Sequence, residues 1–185
     1  MKMPGFLVGK GSRPGTRPAF PKARLVILVE AGTHLIFDAL MCPYNMGERV
    51  RVLKLLPSVT QEMLLMWDRG KHSYAMVEAT VSKGCDYVGL IPCNVKFFNE
   101  TQLDDGSYLS GIYPSGKLRK KGFKPIQVRA IEYTIEHPER PEAQIRYRLI
   151  TSLLEAEKFP AHLLAREYHQ PWEVENTIDE LKVHL

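Results

Sequence analysis

Asp68 and Glu175 are the acidic residues whose surroundings invite a chemical reading. Asp68 follows the continuously apolar run Met63-Leu-Leu-Met-Trp67, the pattern of a strand buried on both faces. That puts it just past the carboxyl end of a strand, where α/β sheets usually place their sites. Glu175 stands seven residues from Tyr168 on one side and from Lys182 on the other. At about 100° per residue a seven-residue step returns to within about 20° on a helix, so the three would form one stripe. A carboxylate and an ammonium one or two turns apart can then face the same nucleic-acid backbone. Each residue also has a plainer role open to it. Asp68 is a natural strand-end turn residue, and Glu175, with Glu173, Asp179 and Glu180 nearby, a natural solvated helix charge.

The elements that must position these residues alternate in type. Residues 1–22 are basic and rich in proline and glycine, which suits an irregular arm. Residues 24–30 and 34–41 are runs rich in β-branched and aromatic residues, separated by a short turn, and predict a hairpin. Apolar spacing predicts a helix over 47–56, stopped at Pro57. After the 63–67 strand, Ser73 as N-cap and Gly84 as C-cap bracket a helix over 73–83, and 86–91 is the next strand. Together these indicate an α/β layer in residues 23–94. Residues 95–150 mix Gly, Pro, charges and short alternating strands at 126–131 and 145–150, and read as a β-rich insertion. Residues 151–185 carry helices near 161–168 and 171–185. No internal repeat is found.

Composition sets broad limits. With 185 residues, 44% apolar and 25% charged, the chain reads as one ordinary soluble globular domain, with or without a small insertion. The net charge of +4 permits a polyanionic partner without demanding one. Its distribution says more, since residues 1–29 hold no Asp or Glu but six Lys and Arg residues. Lys117, Arg119, Lys120, Lys121 and Lys124 crowd a second basic cluster, readable as a solvated hairpin tip or as phosphate contacts. Cys42, Cys85 and Cys93 are odd in number and lack CxxC spacing. This argues against a disulfide framework and for a reducing cytosol, with the cysteines filling core space. No apolar run approaches the ~20 residues of a membrane span, so no membrane role is expected. His34, His72 and His137 are scattered and read as structural or surface residues.

Tyr168-His-Gln-Pro-Trp-Glu-Val-Glu175 through Lys182 resembles the Y-x2-R-x3-E-x6-K signature of insertion-sequence transposases of the DDE type, with Trp172 in its usual place and Pro171 in the arginine slot. Trp67-Asp68-Arg69-Gly70 resembles the family's second catalytic aspartate with its D-R-G sequence. Residues 28–35 and 146–153 are also similar to this family, so the resemblance runs over nearly the whole chain from about residue 9 in the family's order.

The resemblance implies an RNase H-like mixed sheet flanked by helices, with the β-rich insertion before the last helix. It makes Asp68 and Glu175 the second and third of three carboxylates that hold Mg²⁺ (or Mn²⁺). Such ions take hard oxygen ligands and promote in-line phosphoryl displacement at transposon ends. It implies DNA contacts from Tyr168, Lys182 and Arg69, and from Trp172, which in this family can hold an extruded base. Pro171 removes a guanidinium from that set and bends or starts a helix rather than continuing it.

The first carboxylate belongs on a strand preceding residue 24, where no acid exists; Glu30 and Asp38 come too late to replace it. The chain is therefore expected to be truncated at its amino end, to lack a central strand, and to be inactive alone. Double-stranded DNA is the expected partner. A homodimer is allowed, because the family's reaction is generally run by dimers on paired ends. Three readings stay open: an enzyme completed from elsewhere, a non-catalytic DNA-binding remnant or inhibitor of an intact transposase, and a decayed product without a role.

Overall fold

A computed structural model of the chain describes residues 23–33, 35–43, 47–98, 101–137 and 140–169. Contacts divide the chain into two compact units, residues 1–58 with 174–185, and residues 59–173.

In the first unit, β1 (Ala23–Val29) and β2 (Ile36–Pro43) form an antiparallel two-stranded sheet, with a register shift at Leu28/Val29. The connection is longer than the turn expected from sequence. Glu30 turns its carboxylate back onto the amides of Gly32 (3.1 Å) and Thr33 (2.6 Å), and its own amide donates to the Leu35 carbonyl (2.9 Å). The helix predicted over 47–56 contracts to α1 (Glu48–Val52) and a 3-10 turn at Leu56–Ser58. Gly47 offers no side-chain cap, Val50 and Val52 are β-branched, and Pro57 prevents propagation, so a long helix is never nucleated well.

The second unit is built on a six-stranded mixed sheet of order β3-β4-β8-β7-β6-β5. Its strands are β3 (Leu64–Trp67), β4 (Asp86–Leu90), β5 (Thr101–Gln102), β6 (Tyr108–Ile112), β7 (Ile126–His137) and β8 (Arg140–Thr151). β3 and β4 are parallel and are joined by α2 (Tyr74–Lys83); all other pairs are antiparallel. The α/β expectation holds at this level. α2 begins and ends where its caps predict. The Ser73 hydroxyl accepts from the Met76 amide (3.1 Å), and Gly84 takes a left-handed φ of 76°, open to glycine without the cost of a Cβ.

β7 and β8 are 12 residues each, twice the predicted length. The register sets Glu132 opposite Arg148 and Thr134 opposite Arg146, and such cross-strand pairs favour the sheet beyond the predicted runs. β8 also pairs with β4, Val88 facing Thr151 and Leu90 facing Leu149, so the 126–151 hairpin extends the same sheet as the parallel pair.

Helix α4 (Ala161–His169) buries Ala161, Leu164 and Tyr168, spaced three and four apart as one helical face requires. They close a core with Val88, Leu90, Ile131, Leu149 and Leu153. Elsewhere in this unit the Trp67 ring stacks on Tyr87 (centroids 4.8 Å) and lies over Gly89, where a Cβ would come within 2.3 Å of the indole. A five-residue helix, α3 (Gly116–Lys120), links β6 to β7. Among the described residues no helix is long and apolar enough to cross a membrane.

Candidate functional site

The apolar strand β3 ends at Asp68, as its sequence predicts, and the chain turns at once. Asp68 Oδ1 accepts the amides of Gly70 (2.8 Å) and Lys71 (3.2 Å), and the Asp68 carbonyl accepts Lys71 N–H as well (3.1 Å). This is the aspartate turn expected from a short acceptor next to glycine. Oδ2 meets the Lys71 ammonium at 3.1 Å. The carboxylate is 62% exposed, so that ion pair adds little stability. Arg69 is exposed beside it.

Tyr168 brings α4 to the same place. Its ring is buried at 8% exposure, and its hydroxyl donates to the Trp67 carbonyl (3.2 Å), one residue before Asp68. Burial first, then the neighbouring Asp68 charge, raises the Tyr168 pKa, against a smaller opposing effect of Arg69. The tyrosine expected as a DNA contact thus spends its hydroxyl on the end of β3. Trp172, Glu175 and Lys182, with Pro171, lie outside the described residues.

As for metal, Asp68 is a hard, accessible oxygen donor of the kind Mg²⁺ uses, and Mg²⁺ commonly takes only one or two protein carboxylates. A cation on Oδ2 would replace the Lys71 ammonium there, while Oδ1 stays oriented by two amides. Among the described residues no three His, Cys, Asp or Glu side chains gather to hold an ion. The described part therefore offers one ligand of the proposed set.

The basic cluster is not a simple hairpin tip. Ser115 caps α3 by accepting from the Leu118 amide (3.3 Å), and Gly122 takes φ 76° in the turn that follows. Lys117, Lys120, Lys121 and Lys124 are exposed around this short helix, whereas Arg119 is half-buried with its guanidinium 3.9 Å from the Phe98 ring centre. Cys42 and Cys85 fill core space as expected; Cys93 is exposed instead, its thiol near the Arg146 carbonyl (3.7 Å).

Two groupings escaped the sequence reading. Tyr133 and Tyr147, facing each other across β7 and β8, stack at 5.5 Å. His169 sets its ring edge-on to both, with Nε2 2.7 Å from the Tyr133 hydroxyl. Burial lowers the His169 pKa, and burial followed by the adjacent Tyr168 and Tyr147 raises that of Tyr133. The alternation of β7 and β8 was legible, but their register, which creates the pair, was not.

The second grouping is centred on Arg129, a fully buried guanidinium on β7. It donates to the Ser107 hydroxyl (2.8 Å) and to the carbonyls of Leu153 (3.2 Å) and Phe159 (2.6 Å), and it pairs with Asp105. Asp105 also accepts from the Ala161 amide (2.8 Å) at the start of α4. This knot fixes the amino end of the helix whose other end reaches Trp67. Burial pushes the Asp105 pKa up, but hydrogen bonds from Ser107 and Ala161 and the Arg129 charge outweigh it, and the net shift is downward.

No protein-family model matches the chain. Over 74 residues it is 28% identical to a protein described as "Putative transposase InsZ" from Escherichia coli (strain K12). The match covers 40% of this chain and 25% of that protein's length. The chain is therefore similar to a transposase over two fifths of its residues.

Proposed function

We propose that the chain is a transposase-related DNA-binding segment with an RNase H-like core, in which Asp68 and Glu175 are two of the carboxylates that hold Mg²⁺ (or Mn²⁺). The observation that carries this reading is the meeting of β3 and α4. An exposed carboxylate stands at the strand's end, and the Tyr168 hydroxyl ties α4 to the carbonyl immediately before it. The similarity to a transposase is the independent support. When bound, the divalent ion would polarise the phosphoryl group and activate the attacking oxygen. The chain's own residues orient Asp68 through its two amide bonds and offer Arg69, Lys117, Lys120, Lys121 and Lys124 to the DNA backbone, with Lys182 beyond the described residues.

Residues 1–29 supply no carboxylate, and two carboxylates hold a metal pair poorly. Residues 1–185 alone are therefore proposed to bind DNA with at most residual nicking. Among the described residues β3 has a neighbour on one side only, and that open edge is where a strand carrying the first carboxylate would pair.

Duplex binding measured against salt concentration tests the first half. Each phosphate contact contributes about 0.9 to the slope of log affinity against log salt. Changing Lys117, Lys120, Lys121 and Lys124 to Gln is expected to flatten that slope by about 2–4, and binding indifferent to salt ends the DNA reading. Joined to a strand carrying an Asp-Gly-Thr-like motif, the chain is expected to nick DNA with Mg²⁺. Nicking that survives either Asp68→Ala or Glu175→Ala removes the site assignment.

A further inference from the structure

A cleft of about 230 Å³ opens a few residues beyond the Asp68 turn, lined by His72, Tyr74, Lys96, Phe98, Tyr113 and Arg119 among others. Among the described residues no Asp or Glu lines it; Glu78 acts on its wall at Tyr74, whose pKa is raised by burial and then by that carboxylate. Aromatic rings beside cations, with no acid among the described lining residues, suit a planar group attached to an anion. The volume lies below the roughly 300–1,000 Å³ of drug-sized pockets, which leaves room for one ring system and not for an extended ligand.

The wall is also held in place before anything binds. The buried Ser110 hydroxyl donates to the Phe98 carbonyl (2.9 Å) and accepts from the Phe98 amide (3.2 Å). Arg148 donates to the carbonyls of Cys93 (3.2 Å) and Val95 (2.7 Å), pinning the segment that carries Lys96 and Phe98. Arg119 sits over Phe98 with its Cζ 3.9 Å from the ring centre, and both guanidinium planes and aromatic rings accept stacked bases. Preformed walls of this kind spare the ligand the cost of ordering them.

We propose that this cleft takes a single unstacked nucleotide, its base against the Phe98–Arg119 pair and its phosphate near Lys96. The site deepens the DNA-binding reading and stands on its own residues, apart from Asp68 and Glu175. Its ligand is either a nucleotide within a single strand or a free nucleoside monophosphate, which share this chemistry.

The test uses the full chain in the presence of EDTA, so that no metal contributes. Fluorescence anisotropy compares a labelled oligothymidylate with an abasic strand of equal length. The wild type is expected to prefer the base-bearing strand by roughly tenfold, within the range of one stacked base. Phe98→Leu, which keeps apolar bulk, and Arg119→Lys, which keeps charge, should each reduce that preference below about twofold. Lys96→Gln should weaken both strands alike. Thymidine monophosphate that displaces the strand extends the ligand to free nucleotides, and failure to displace confines it to the strand. Equal affinity of the wild type for the two strands, no binding of either, or a preference that persists in both Phe98→Leu and Arg119→Lys overturns the site. Salt-dependent duplex binding, followed in parallel, separates that failure from failure of the transposase reading.

Discussion

Replacing Asp105 with asparagine keeps the side chain's size and removes its charge, and the knot around Arg129 says what this should cost. The carboxylate has donors on both oxygens. Oδ1 accepts from the Ser107 amide (3.2 Å) and hydroxyl (2.5 Å), and Oδ2 from the Ala161 amide (2.8 Å) and the Arg129 guanidinium. An amide has one acceptor, so whichever way it turns its NH₂ faces an N–H. If the oxygen serves Ala161 and Arg129, the Ser107 amide loses its acceptor. The Ser107 hydroxyl accepts from Arg129 Nε and has a second lone pair for the new NH₂, but the Ser107 amide is still left facing an N–H.

A hydrogen bond to a charged group falls to the neutral class, and at least one part-buried donor is stranded, each at about 1–2 kcal/mol. The expected loss is about 2–4 kcal/mol. Asp105→Ala, which leaves the buried guanidinium without a counter-charge, should lose about 3–5 kcal/mol, nearer the lower figure because the Asp105 side chain is one fifth exposed. Trp67 lies in β3 of the same unit as the knot, so urea unfolding followed by tryptophan fluorescence reports that unit. Sign and pH dependence are fixed too. A carboxylate whose folded pKa lies below its ordinary 3.8 contributes stability above that value and loses it as pH falls through the folded one. Wild type and Asp105→Asn should therefore differ fully near neutrality and converge below about pH 4. An asparagine variant within about 0.5 kcal/mol of wild type at neutral pH, against the cost expected from stranded donors, would refute the reasoning.

Three further outcomes follow from the packing. Gly89→Ala drives a methyl into the Trp67 indole, with 2.3 Å where contact distance is needed, and should cost about 1–3 kcal/mol or more; an unchanged urea midpoint counts against the ring position. Tyr168→Phe removes the hydroxyl bond to the Trp67 carbonyl and should cost about 0.5–1.5 kcal/mol, with the same midpoint as readout; a variant as stable as wild type would deny that the bond ties α4 to β3. His169 has a pKa below its ordinary 6.5 because burial disfavours its charged form. The unfolded chain then binds the proton more readily, so stability should fall as pH drops below about 6.5. His169→Phe should flatten that slope between pH 7.5 and 5.5, and an identical slope would exclude His169 as its source.

Much of the unit of residues 59–173 was legible in the sequence because its signals are local. The run ending at Trp67 is short and apolar enough to declare a strand, although only Leu65 and Trp67 are buried in it and Leu64 is exposed, where burial on both faces was expected. Ser73 and Gly84 bracket α2 by capping chemistry that needs no tertiary context. The helix over 47–56 failed for the opposite reason. Its apolar spacing was right, but an uncapped start at Gly47 and β-branched Val50 and Val52 left little to nucleate it. The length of β7 and β8 depends on Glu132 meeting Arg148 across the register, a pairing that neither segment declares alone. Arg129 was passed over because a lone arginine in an alternating strand reads as a solvent-facing residue. Only the fold shows that its side chain points inward, where carbonyls from the 153–159 segment and the Asp105 carboxylate can receive it.

That inward arginine changes what the candidate site depends on. Asp68 orients itself through its own turn, but anything α4 brings toward it must be held at the helix's other end. There Asp105 accepts the first amide of α4 while neutralising the guanidinium that also grips the Phe159 carbonyl. Nine residues span α4, about 13 Å at 1.5 Å per residue, so a tilt of a few degrees at Ala161 moves the Tyr168 hydroxyl by tenths of an ångström to an ångström. That is enough to lose a 3.2 Å bond. Damage at Asp105 should thus reach the carboxyl end of β3 without touching it. If Asp105→Asn weakens metal-dependent nicking by the chain joined to an Asp-Gly-Thr-like strand but leaves salt-dependent duplex binding intact, α4 is the element that couples the knot to the proposed chemistry. If both fall together in proportion to lost stability, the knot serves folding alone.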